Sequence, residues 1–177
     1  MNEGRSILIF ESKDLYIGLV KPIDIDDVVK LYNSNTHFLE NHMRSNQVKF
    51  RWVVNELESM RNAGFCSCKV VEKDSGKIIG IIDFKVDQET YLSLLMIHRD
   101  YKDKGFGTQV YRAFEEYAKS RQSKYIRLDV VVGYSSHVLN FWTSNGFVKF
   151  EDTTLNWTGV ILPAVTMKKK LSPYCLT

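Results

Sequence analysis

The 177-residue sequence predicts an α/β domain with a mixed sheet flanked by helices. Three observations carry that expectation. Hydrophobic periodicity switches repeatedly between helical and strand repeats, in the order ββ-α-α-β-β-β-α-β-α-β-β. A nearly all-apolar strand leads through a glycine turn into a long amphipathic helix. Hydrophobic residues make up 44% and charged residues 25%, with only three prolines and no Gly/Ser/Pro-rich linker, so one core is expected and no boundary is drawn.

The elements follow in chain order. Apolar runs at 6–12 and 15–21 are split by Lys13-Asp14, which predicts a hairpin, and Pro22 ends its second strand. Asp24 or Asp26 then caps a short helix to about Ser34, with Ile25, Val28, Val29 and Tyr32 on one side. Residues 35–47 show no clear period and read as a loop. A helix over 48–63 carries the stripe Phe50, Val53, Val54, Leu57 and Met60, and Gly64 stops it.

The period then changes. Strands at 65–72 and 77–86 flank the turn Asp74-Ser75-Gly76. Residues 91–97 are nearly all apolar, which predicts a central strand covered on both faces. The helix at 105–121 is the clearest, with Val110, Ala113, Phe114, Tyr117 and Ala118 on one face. A strand follows at 125–132. Ser135 or Ser136 caps a short helix to Ser144, which Asn145-Gly146 ends. Strands at 147–151 and 160–168 close the chain.

Composition excludes several function classes. The net charge of +3 is weak for a nucleic-acid binder. It is also uneven. Residues 1–98 carry 12 basic and 14 acidic groups, residues 99–127 carry 8 and 4, and residues 128–177 carry 4 and 3. The positive charge is therefore concentrated at 99–127. Three cysteines rule out a complete disulfide framework; Cys66 and Cys68 share one strand face and read as core thiols of a reducing compartment, with Cys175 alone in the tail. Four histidines without metal spacing argue against a metal site. No run is long and apolar enough for a membrane span and no signal-peptide pattern opens the chain, so a cytoplasmic location is expected.

The chemistry-bearing segment runs from Tyr91 to Thr108 and ends in Lys102-x-x-Gly105-x-Gly107 at a helix start. A helix start leaves unpaired N–H groups and partial positive charge. Glycines let backbone close around a diphosphate without a Cβ in the way. The plainer reading is that Gly105 and Gly107 shape a tight strand-to-helix turn. A P-loop is absent, and Val110 replaces the third glycine of a dinucleotide fingerprint.

This segment resembles motif A of the GNAT N-acetyltransferases, in which [QRK]-x-x-G-x-[GA] follows a hydrophobic strand at a helix start. Residues 125–132 and then Val138-Leu-Asn-Phe-Trp-Thr-Ser-Asn-Gly-Phe147 resemble motif B. The element order also matches over 15–168. The resemblance implies a single GNAT (acyl-CoA N-acyltransferase) domain over 1–177, its core at about 15–170 and an extra strand within 1–14. Its sheet would be mixed, mostly antiparallel, and splayed between the family's strands 4 and 5.

By the same resemblance, acetyl-CoA is the cosubstrate and lies in that opening. Backbone N–H groups of Lys102, Asp103, Lys104, Gly105, Phe106, Gly107 and Thr108 would hold its pyrophosphate. The edge of Leu95, Met96 and Ile97 would pair with the pantetheine arm, and an N–H near Ile97 would polarise the thioester carbonyl. An amine then attacks that carbonyl and the CoA thiolate leaves. Proton acceptors in view are Asp83, Glu89, His98, Glu40 and His37, each also readable as an ordinary solvated group. The family's motif B often has a Tyr that protonates the thiolate, where this chain has Trp142, whose indole is too weak an acid. Tyr134 is the substitute. Ser135 stands where many members have an Asn against the pantetheine, and Phe141 with Trp142 either contact the cosubstrate or pack the core.

The acceptor is then an amine-bearing small molecule or peptide, with acidic groups at 35–47 and 83–89 to meet it. A non-catalytic acyl-CoA-binding module on the same fold is the alternative, and a basic RNA-associated domain a weaker third. A homodimer stays open, and neither metal nor membrane is called for.

Overall fold

A computed structural model describes residues 7–133, 136–157 and 159–173. Strands β1 (Leu8–Glu11) and β2 (Leu15–Leu19) form the expected hairpin, antiparallel, with the Ser12 N–H donating to Leu15 O at 2.9 Å. A 3-10 turn at Pro22–Asp24 leads into α1 (Ile25–Ser34). The buried side of α1 is Ile25, Val28, Leu31 and Tyr32, with Leu31 taking the place expected for Val29. Asp24 stands before α1 but does not cap it. Its carboxylate accepts the Lys21 N–H at 2.7 Å and pairs with Lys69 Nζ at 2.6 Å, where both side chains are 9% exposed.

Residues 35–47 are not a loop throughout, because Thr36–Met43 form α2. Two turns bury Leu39 and His42, and the polar histidine hides the apolar period. Arg44 ends the helix in the left-handed region at φ 52. Helix α3 (Phe50–Asn62) buries Val53, while Phe50, at its first position, is 49% exposed rather than part of the stripe.

Strands β3 (Cys66–Glu72), β4 (Ile78–Lys85) and β5 (Glu89–Ile97) form an antiparallel meander. Helix α4 (Phe106–Ser120), β6 (Tyr125–Val131), α5 (Ser136–Ser144), β7 (Val148–Trp157) and β8 (Val160–Lys170) follow. β7 runs six residues past its expected end at Glu151. It is an edge strand, so its outer side chains are polar and exposed, and only the ladder from Glu151↔Thr166 to Trp157↔Val160 reveals it.

The eight strands form one sheet in the order β1-β2-β3-β4-β5-β6-β8-β7. Every neighbouring pair is antiparallel except β5–β6, which is parallel. One core lies between the sheet and α4 and α5, built on Phe84, Phe114, Val110 and Phe147. A second lies under α1, α2 and α3, built on Leu31, Leu39, Val53 and Ile81. β5 serves both. The register shifts between Asp83↔Leu94 and Phe84↔Leu92, so Ser93 is an extra residue. Leu92 and Ile97 consequently join the α4 core while Leu94 and Met96 join the α1–α3 core. That exchange of faces explains the nearly continuous apolar run.

Candidate active site

Parallel pairing between β5 and β6 lasts only three registers, Glu89↔Tyr125, Thr90↔Ile126 and Tyr91↔Arg127. β6 then stays with β8 as far as Val131↔Ala164. The bulge at Ser93 adds local twist to β5. Beyond Tyr91 the two strands diverge around a cleft of about 1340 Å³, lined by residues 91–97 on one wall and 128–131 on the other. The β6-facing edge of β5 has no strand partner there.

The glycine turn closes one end of this cleft. After a 3-10 turn at Arg99–Tyr101, Asp103 has φ 60 and Gly105 φ 80, both left-handed. Gly105 stands at the start of α4 and no side chain caps that start, which leaves the first-turn N–H groups to the cleft. A Cβ on Gly107 would lie 3.8 Å from the Phe141 ring, an ordinary contact. The chain's own packing therefore does not demand glycine at 107.

Most residues expected to hold the cosubstrate line this cleft: Leu95, Met96, Ile97, Lys102, Asp103, Gly105, Gly107, Thr108, Phe141 and Trp142. Lys104 and Phe106 do not. Lys104 Nζ sits 5.2 Å over the Tyr101 ring, and Phe106 packs against the α4 core. Trp142 is also core, edge-on to Tyr111, Phe141 and Phe147 at 5.5, 4.8 and 5.3 Å. Burial pushes the Lys102 ammonium below its usual range; Asp103 opposes that and Arg99 adds to it. Tyr134, Ser135 and Cys175 lie outside the described residues.

The expected proton acceptors fare differently. His37 lines the cleft, but Glu89, His98, Asp83 and Glu40 do not. Glu89 pairs with Lys168 at 2.8 Å. His98 Nδ1 accepts the Asp100 N–H at 3.3 Å. Glu40 borders a separate shallow depression with Arg44. Asp83 is buried in the α1–α3 side of the sheet, its Oδ1 without a hydrogen-bond partner among the described residues. Burial above all pushes its carboxyl up to about 7, against the pull of the Ser67 hydroxyl and with a further push from Glu56.

Four residues were not singled out from the sequence. Glu56 on α3 lines the cleft, and burial raises its carboxyl above the usual range. A lone carboxylate three residues after Val53, on the apolar side of α3, is the signal that could have found it. Asn35 donates from Nδ2 to Ile97 O at 3.2 Å and to Leu31 O at 3.0 Å, fixing the end of β5 to α1. Asp129 accepts from Tyr91 OH at 2.9 Å, Thr166 Oγ1 at 2.7 Å and Arg127 at 3.0 Å. Trp157 reaches the cleft only because β7 is long.

The profile of the Acetyltransferase (GNAT) family matches residues 26–147, most of the chain. The protein belongs to this family. Among curated proteins no sequence matches it. An acetyltransferase from Thermus thermophilus superposes with a TM-score of 0.71 at 17% identity, covering 89% of this chain and 97% of that one. A GNAT-family acetyltransferase from Bacillus anthracis gives 0.73 at 12% identity, covering 91% and 97%. Spermidine N-acetyltransferase from Vibrio cholerae, solved with CoA and spermine, gives 0.69 at 15%, covering 89% and 95%. At such identities the likeness shows the fold. This GNAT chain has no group of three or more His, Cys, Asp or Glu placed to hold a metal, and no helix long and apolar enough to cross a membrane, among the described residues.

Proposed function

We propose that the protein is an acetyl-CoA-dependent N-acetyltransferase in which a primary amine attacks the thioester directly. The observation that carries this reading is the unpaired β5 edge meeting the glycine turn within one cleft. The backbone N–H groups from Lys102 to Thr108 receive the pyrophosphate, Lys104 and Phe106 contributing backbone only. The edge at Leu95–Ile97 pairs with the pantetheine arm, and an N–H near Ile97 stabilises the oxyanion. Ser135 bonds the same arm.

Glu56 takes the amine's proton, in preference to Glu89 and His98, whose side chains are committed elsewhere. Tyr134 returns a proton to the departing thiolate, since Trp142 has none acidic enough to give. The reading places catalysis in a single domain with its core at 15–170. The free thiols of Cys66 and Cys68 suit a cytoplasmic setting.

Acetyl-CoA should raise the melting temperature, and thiol release should follow with a suitable amine. A folded protein whose melting is unmoved by millimolar acetyl-CoA would refute the reading.

A further inference from the structure

Apart from the glycine turn, part of the cleft lining is aromatic. Phe38 and His42 of α2 stack at 4.0 Å between ring centroids. Trp157 stands edge-on to both, at 5.6 Å from Phe38 and 5.7 Å from His42. All three line the cleft, together with Leu94 and Leu155. Burial lowers the His42 imidazole below its usual range, so at neutral pH it is an uncharged part of that wall.

Negative charge in the cleft is scarce. Among the described residues three carboxylates line the cleft: Glu56, Asp103 and Asp129. Asp103 belongs to the glycine turn. Asp129 is taken up by Tyr91, Thr166 and Arg127. Glu56 alone is left to meet a cation. An aromatic wall with one carboxylate suits a ligand with one ammonium and a flat apolar body. A ligand with two or three ammonium groups would desolvate charges that find no partner.

We infer that the acceptor is an arylalkyl monoamine, its ring against Phe38 and Trp157 and its ammonium at Glu56. The inference rests on the acetyltransferase reading for turnover, and on the cleft alone for binding.

Two measurements test it. Thiol release with acetyl-CoA is compared for phenethylamine, tryptamine, spermidine and a lysine peptide. The aryl amines should exceed spermidine and the peptide by about tenfold or more in kcat/KM. Trp157→Ala and Phe38→Ala should each raise KM for phenethylamine about tenfold and leave KM for acetyl-CoA unchanged, while Trp157→Phe, which keeps a ring, retains most of the wild-type value. Faster turnover of spermidine or the peptide overturns the inference. Should no amine turn over, the proposed reaction fails, and calorimetry on the CoA-loaded protein with the unreactive N,N-dimethylphenethylamine still decides the site. Binding that Trp157→Ala weakens supports the inference, and absence of binding to the wild-type protein refutes it.

Discussion

Glu56 and Asp83 are two carboxyls that burial raises, on neighbouring elements and with different work. Glu56 reaches the cleft and Asp83 does not. A base must be ionised to accept a proton, so kcat/KM should rise with pH through the elevated Glu56 value and then level. Glu56→Gln should lower kcat/KM by about 10²-fold and remove that limb of the pH profile. Asp83 affects stability instead. Its folded value of about 7 lies above that of an exposed aspartate, so the folded state holds the proton more tightly. That contribution is complete at low pH and is lost as pH rises toward and through 7, to a limit of roughly 4 kcal/mol. Asp83→Asn should therefore gain melting temperature over wild type at pH 8 and little at pH 4. An equal difference at both pH values would contradict the burial of an uncompensated carboxylate. Neither role is written in the local sequence. Asp83 sits in an apolar strand, and its unpartnered oxygen exists only once Ser67, Tyr32 and Glu56 are folded around it.

At the scale of elements, the glycine turn separates two uses of glycine. Gly105 has φ 80 with open space around it, so a methyl group there strains the backbone and meets nothing. Gly105→Ala should cost about 1–2 kcal/mol of stability, measured by chemical denaturation. Gly107 is unstrained and a methyl group is tolerated by Phe141. Gly107→Ala should leave stability within about 0.5 kcal/mol and acetyl-CoA binding nearly unchanged, because the motif admits alanine at this position and a methyl there makes only ordinary contacts. A large loss of stability or of binding at 107 would contradict this division between the two glycines. The sequence makes this turn legible because its demand is local: two glycines, a preceding apolar strand, a following amphipathic helix. α2 and the outer half of β7 were not legible for the opposite reason. The face of α2 includes a histidine, and β7 shows its pairing only against β8. Trp157 and Phe38 lie on these two elements, so the aromatic wall of the cleft was hidden with them.

The whole molecule sharpens the meaning of its charge. The basic stretch 99–127 is not one patch. Lys119 pairs with Glu115 and Glu116, and Arg127 with Asp129. Arg99 and Lys102 line the cleft. Lys124 follows the far end of α4, which at 15 residues spans roughly 22 Å. That exceeds the screening length of about 10 Å at moderate salt, so Lys124 adds little to anion binding at the glycine turn. Lys102 stands on the glycine turn itself and lines the cleft, within a screening length of an anion held there. Lys102→Ala should weaken acetyl-CoA binding about tenfold and flatten its dependence on salt, whereas Lys124→Ala should leave both unchanged at about 0.1 M salt. Titration of both variants at low and high salt reads this directly. Equal losses at the two positions would mean that the molecule binds its cosubstrate through overall charge, and the paired Lys119 of α4 would then have to be counted again.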